Sequence, residues 1–155
     1  MSVEDAPAIA SFRVRVDTSP EEAFALVADP RRLAEWDVGT AESKGAPGPL
    51  GMGTRADVQA QFRDKLLHVS YVVTEYENAK HVRLDGDADL GWLGRMHEVD
   101  IVTFEPAGRG ATVSWSAQIR FSGLLSWLPH ASVNADIFSL GKKSGEGLQR
   151  LLHNK

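Results

Sequence analysis

The sequence predicts an α+β fold: a curved antiparallel sheet of six or seven strands, two short helices after the first strand, and one long helix at the C-terminus. Three observations predict it. Two helix starts stand back to back within Val16–Trp36, directly after a strand. From Thr54 to Phe121 apolar residues alternate with polar ones, and short turn signals separate the runs. Near the end, Val133, Ile137, Leu140, Leu148 and Leu152 recur at helical spacing. A strand, two tight helices, a Trp at the exit and then strands alone suit a sheet plugged at one end, an order that leads to an enclosed cavity.

Each element has its own signal. Phe12, Val14 and Val16 alternate with Arg13, Arg15 and Asp17, which reads as a half-buried strand. Ser19 caps the first helix, Pro20 fits its first position, and Glu22 three residues on completes a capping box. Asp29-Pro30 starts the second helix in the same way. Gly39–Gly53 holds five glycines and two prolines and reads as loop or edge structure. Beyond it, Ala56, Val58, Ala60 and Phe62 share one strand face, and Leu67, Val69, Tyr71 and Val73 share another. A tight turn at Arg63-Asp64 pairs Phe62 with Lys65 and sets Val58 against Val69. Val82 and Leu84 mark a strand over Lys80–Asp85, and Arg95–Glu105 with Ala111–Phe121 form a hairpin around Pro106–Gly110. The tail helix carries Gly141 on its apolar face, either for close packing on the sheet or to leave room for a ligand.

Composition narrows the function classes. At 155 residues, with 43% hydrophobic and 25% charged residues, the chain suits one globular domain with a substantial core. A net charge of -4 and the lack of any basic run speak against nucleic acid. There is no cysteine, so disulfide and thiolate chemistry are excluded. No apolar stretch approaches the roughly 20 residues of a membrane span, so no stable membrane insertion is expected. The acidic start, Met1 to Asp5, is unlike a signal peptide, which places the protein in the cytoplasm. Residues 1–8 read as a mobile tail and residues 9–155 as a single domain.

Taken together, these motifs carry a resemblance. The Ser19–Pro30 run, Leu33 with Trp36, Gly51-Met52-Gly53-Thr54, Phe104-Glu105-Pro106 and Gly110–Val113 ahead of a terminal helix resemble the START-like (SRPBCC) superfamily, in its polyketide cyclase/dehydrase and lipid transport branch. The likeness runs from about Phe12 to the end. It implies a helix-grip (Bet v 1/START-like) fold, a seven-stranded antiparallel sheet around the C-terminal helix with a deep ligand cavity between them. One departure concerns two apolar loops, Leu90–Gly94 and Leu124–Pro129. They read either as flaps over a pocket mouth or as loops packed on each other or on a partner subunit.

Candidate site residues follow from the faces. Trp36, Trp92 and Trp127 suit a pocket mouth, each also fitting a buried core position, while Trp115 sits mid-strand. Val58, Val69, Tyr71, Leu84, Trp115 and Ala117 fall on inward faces, and Gly141 faces them from the helix. Small residues there leave space that large ones would fill. Glu98 and Asp100 share one face of their strand, either inward as a proton-transfer pair or outward as a solvated one. Arg83, Arg95 and Tyr71 are the other candidates for polar chemistry. The five histidines sit on separate elements without ligand spacing, so neither metal nor cofactor is expected. Two functions fit. One is a carrier of a hydrophobic or aromatic molecule, lipid or polyketide-like. The other is a polyketide aromatase/cyclase that performs aldol closure and dehydration, with Glu98 and Asp100 as its catalytic groups. A homodimer is open.

Overall fold

The computed structural model describes residues 8–62, 64–124 and 130–153, with the backbone alone at Ala8 and at 130–134. Residues 1–7 of the expected tail, Arg63 of the expected turn, and Trp127 with its loop lie outside the described residues, as does the side chain of Val133. The chain runs β1 (Ala8–Val16), α1 (Pro20–Val27), a 3-10 turn (Pro30–Glu35), β2 (Thr40–Lys44), β3 (Arg55–Phe62) and β4 (Lys65–Glu77). It continues through β5 (His81–Asp89), a short 3-10 turn (Gly91–Leu93), β6 (Arg95–Ala107), β7 (Gly110–Ser122) and α2 (His130–Leu151).

One seven-stranded antiparallel sheet has the order β1-β7-β6-β5-β4-β3-β2. After β1 the chain crosses the full width of the sheet and then returns strand by strand until β7 pairs with β1. The two helix starts read from the sequence are this crossing. Ser19 Oγ accepts the Glu22 N–H at 3.2 Å, which caps α1. The capping box is only half made, because the Glu22 carboxylate takes the Thr18 hydroxyl instead. Phe24 of α1 meets Phe104 and Tyr76 edge-on at 5.1 and 5.5 Å between ring centres, so α1 plugs one end of the sheet. The second helix is a 3-10 turn capped by Asp29, whose carboxylate also holds Arg31 at 2.7 and 2.9 Å.

The register of β3 and β4 is the one read from the sequence, Phe62 against Lys65 and Val58 against Val69. In β6, Met96, Glu98, Asp100, Val102 and Phe104 are buried, which resolves the open facing of the carboxylates inward. The partners explain it: Phe104 pairs with Val113 and Val102 with Trp115, so the apolar face of β7 fixes that of β6. A bulge between Val73 and Glu75 breaks the β4–β5 ladder, the kind of defect that bends a sheet.

Helix α2 lies along β1. A Cβ on Gly141 would come within 3.1 Å of Ala10 Cβ, and one on Gly145 within 2.8 Å of Phe12 Cβ. Further on, Gln149 Nε2 donates to the Arg15 carbonyl, and Asp17 N–H donates to the Leu152 carbonyl. From Gly141 over Ala10 to Leu152 beside Asp17, helix and strand run side by side in the same direction. No helix among the described residues is long and apolar enough to cross a membrane.

Candidate functional site

Between sheet and helix lies a cavity of about 420 Å³. Two rows of cross-strand neighbours run beneath it, and Tyr71, Glu98, Ile119, Ala117 and Ala10 are their members on the lining. The first runs Ala56, Tyr71, Gly86, Glu98 and Ile119 across β3 to β7. The second runs Val73, Leu84, Asp100, Ala117 and Ala10 across β4 to β1. Ala10 and Ala117 are small, and Gly141 stands over Ala10 from α2, so the helix comes close there without filling the space beside it. Apolar walls are supplied by Ala60, Phe62, Leu67, Met96 and Phe121 of the sheet and by Ile137 and Leu140 of α2.

One corner is polar. Gly86 has no side chain, and a Cβ there would lie 2.7 Å from the Tyr71 ring. Tyr71 therefore lies across Gly86 and spans two strand spacings, roughly 10 Å, to donate its hydroxyl to Glu98 at 2.9 Å. Burial pushes the Glu98 carboxyl up, and hydrogen bonds from Asp100 and Tyr71 pull it back. Asp100 is pushed well above the usual carboxylate range, first by burial and then by the neighbouring Glu98 charge. Of the two carboxyls, Asp100 is thus the one driven more strongly toward its neutral form, while hydrogen bonds favour the ionised form at Glu98. Tyr71 stays a neutral phenol, raised by burial and by both carboxyls. Asp37 adds a third acidic group, accepting from Thr40 Oγ1 at 2.6 Å, Ser144 Oγ at 2.5 Å and Gly39 N–H at 3.3 Å.

Of the residues expected at the site, Tyr71, Glu98, Trp115, Ala117 and Gly141 line the cavity. Asp100 sits on the same face of β6, 1% exposed, without lining it. Val58, Val69 and Leu84 are buried core and do not line the cavity. Trp36 is also off the lining. It meets Phe12 and Trp115 edge-on at 5.9 and 6.1 Å and stands behind the cavity wall. Trp92 is 81% exposed, with its neighbours Leu90 and Leu93 turned to the cavity instead. Trp127 lies outside the described residues. The bases of the two apolar loops meet backbone to backbone, since a Cβ on Gly123 would fall 2.9 Å from Gly94 Cα. Arg83 and Arg95 point away from the cavity, where they pair with Asp85 and Asp89. Among the described residues no three His, Asp or Glu side chains come together as a metal site.

Asp37, Ser144 and Gly86 were not anticipated. Ser144 and Asp37 are 107 positions apart, so spacing holds no trace of their contact. Gly86 lies one position beyond the strand expected over Lys80–Asp85, and only the longer observed β5 makes it a glycine inside a strand, where another group comes close.

Comparison with known proteins bears on this architecture. The family model described as polyketide cyclase / dehydrase and lipid transport matches residues 8–151. A conserved protein from Geobacillus kaustophilus superposes with a TM-score of 0.70 at 12% identity, covering 93% of this chain and 94% of that one. Ara h 8.0201, a Bet v 1 homologue, gives 0.65 at 15% identity, covering 94% and 97%. A Chromobacterium violaceum protein gives 0.66 at 17% identity, covering 94% and 96%. At such identities the likeness is one of fold. The search of curated proteins gave no match.

Proposed function

The chain belongs to the polyketide cyclase/dehydrase and lipid transport family, and we propose that it binds a hydrophobic or aromatic small molecule between sheet and α2, as a carrier or binding protein. The observation that carries this reading is the cavity itself, about 420 Å³ with mostly apolar walls. Ligand sites of soluble proteins are concave spaces of this order, apolar with a few placed polar groups. The test is titration with a neutral, polarity-sensitive naphthalene dye. Binding at a Kd of about 1 μM is expected, with a change in emission from Trp115 on the wall. Ala117→Phe should fill the space and remove binding while the protein keeps its cooperative melt. Dye binding that survives Ala117→Phe would place the site elsewhere.

A second reading is favoured by the buried Tyr71–Glu98–Asp100 set. A carboxylate at a cavity wall could take a proton from carbon next to a ketone, so that a new carbon–carbon bond closes onto a second carbonyl. The proton taken up by Glu98 would pass to the resulting alkoxide, and loss of water would follow. That is the aldol closure and dehydration of a polyketide cyclase. Its test is a poly-ketone thioester mimic, with a cyclised aromatic product from the native protein and none from Glu98→Gln.

A further inference from the structure

We propose that this cavity selects amphipathic ligands with a cationic amine head, seated between Asp37 and Glu98, over ligands of the same size with a carboxylate head. The inference rests on the cavity being a ligand site and adds the chemistry of what it holds.

The charged residues along the cavity are Asp37, Asp64, Lys65 and Glu98. Asp64 and Lys65 are exposed neighbours of opposite sign on one turn and offset each other at the edge. Inside, Asp37 and Glu98 remain, with Asp100 behind them on the same face of β6. Asp37 is near enough for its charge to act on Tyr71, Glu98 and Asp100. Among the described residues, no Lys or Arg lines this corner.

The donors of the corner are already engaged. Thr40, Ser144 and the Gly39 N–H give to Asp37, and the Tyr71 hydroxyl gives to Glu98. Asp100 Oδ1 is buried on the inward face with no hydrogen-bond partner among the described residues. Trp115 on the wall gives to Asp100, and the Gln61 amide lies out at the exposed edge, so the corner offers mainly acceptors and negative charge. Acidic groups gathered at a cavity wall without a counter-ion repel one another, and an ammonium brings three donors and the missing sign. A carboxylate head there would add a like charge, and the Lys65 and Gln61 donors stand at the cavity edge, away from this corner. An alcohol, with one donor and no charge, falls between. The apolar body has Leu67, Phe121, Ile119 and Leu140 to lie against.

The experiment compares dodecylamine, dodecanol and dodecanoate, each below its aggregation limit at neutral pH, by Trp emission and calorimetry on the intact protein. The amine should bind at least about tenfold tighter than the alcohol, and the carboxylate weakest. Asp37→Asn and Glu98→Gln should each narrow the ratio of amine to alcohol affinity. Ala117→Phe should abolish amine binding, which separates the cavity from general attraction to a chain of net charge -4. If the alcohol binds and the amine gains nothing over it, or if dodecanoate binds as tightly, the head-group preference is wrong while the cavity reading stands. If none of the three binds, both fall. Amine binding that survives Ala117→Phe overturns the inference by placing the amine on the surface.

Discussion

Tyr71 reaches Glu98 only because residue 86 has no side chain. Alanine normally suits a strand better than glycine, yet Gly86→Ala would put a Cβ 2.7 and 2.9 Å from two atoms of the buried Tyr71 ring. The expected outcome is a loss of roughly 1–3 kcal/mol, as for overpacking, together with loss of the Tyr71–Glu98 hydrogen bond. Urea unfolding checks it, and a Gly86→Ala protein more stable than the native one would refute the argument. Tyr71→Phe separates the two effects, since it keeps the ring and removes the donor. It should cost about 1–3 kcal/mol, because a buried carboxylate loses a partner. At this scale little was legible in advance. Alternation told which side chains face inward and placed Tyr71 there. It could not tell that Glu98 lies two strands away, because strand order is set by the whole meander. The same limit hid Asp37 and Ser144, each ordinary within its own segment.

Among the elements, α2 shows how three glycines in one helix can serve different ends. Each costs up to about 1 kcal/mol relative to alanine in an exposed helix. At Gly145 that gain cannot be recovered, since the added Cβ would meet Phe12 at 2.8 and 2.9 Å. At Gly147 the nearest atoms are 3.7 Å away, an ordinary contact. Gly147→Ala should therefore stabilise by about 0.5–1 kcal/mol, and Gly145→Ala should destabilise by a similar amount or more. Thermal melts of the two variants decide the matter, and equal shifts of the same sign would show that packing on β1 does not set these positions. Gly141 lies between these cases, with 3.1 Å to Ala10 Cβ and to the Ser11 nitrogen. It also lines the cavity. Whole elements were more legible than side-chain partners. The β3–β4 register followed from the alternation, because a slip by one residue would expose every apolar side chain. Strand β2, at the sheet edge, falls in the glycine-rich stretch read as loop or edge structure, but its bounds could not be read. Four of its five residues are polar and none is buried, as an edge strand can be, so no alternation marked it.

For the molecule as a whole, the buried acids tie stability to pH in an uncommon direction. Glu35 and Asp85 are held below their ordinary values, Glu35 chiefly by its hydrogen bond from Arg32 and Asp85 by bonds from Thr74 and Arg83 that outweigh burial. Their contribution is present above about pH 4 and is lost as pH falls below it. Asp100 and Glu98 act oppositely. Their folded values are raised, so their contribution is fully present below the ordinary carboxylate range and is lost as pH rises through the folded values. The window for Asp100 opens near its ordinary value of 3.8 and extends upward, because the folded chain keeps a proton that the unfolded chain releases. The melting temperature should thus decline from weakly acidic to neutral pH, with a slope of at most about 1.4 kcal/mol per pH unit for each proton held. Asp100→Asn keeps the shape and remains neutral at every pH, with its amide able to donate to Glu98. The variant should melt higher than the native protein at neutral pH, and its melting temperature should vary less across that window. A native protein whose stability rises steadily from pH 5 to 8, or a variant with the same slope, would show that the proton is not held at Asp100. A ligand amine seated between Asp37 and Glu98 would favour ionised carboxyls, so saturation with dodecylamine should flatten the native profile toward that of the variant.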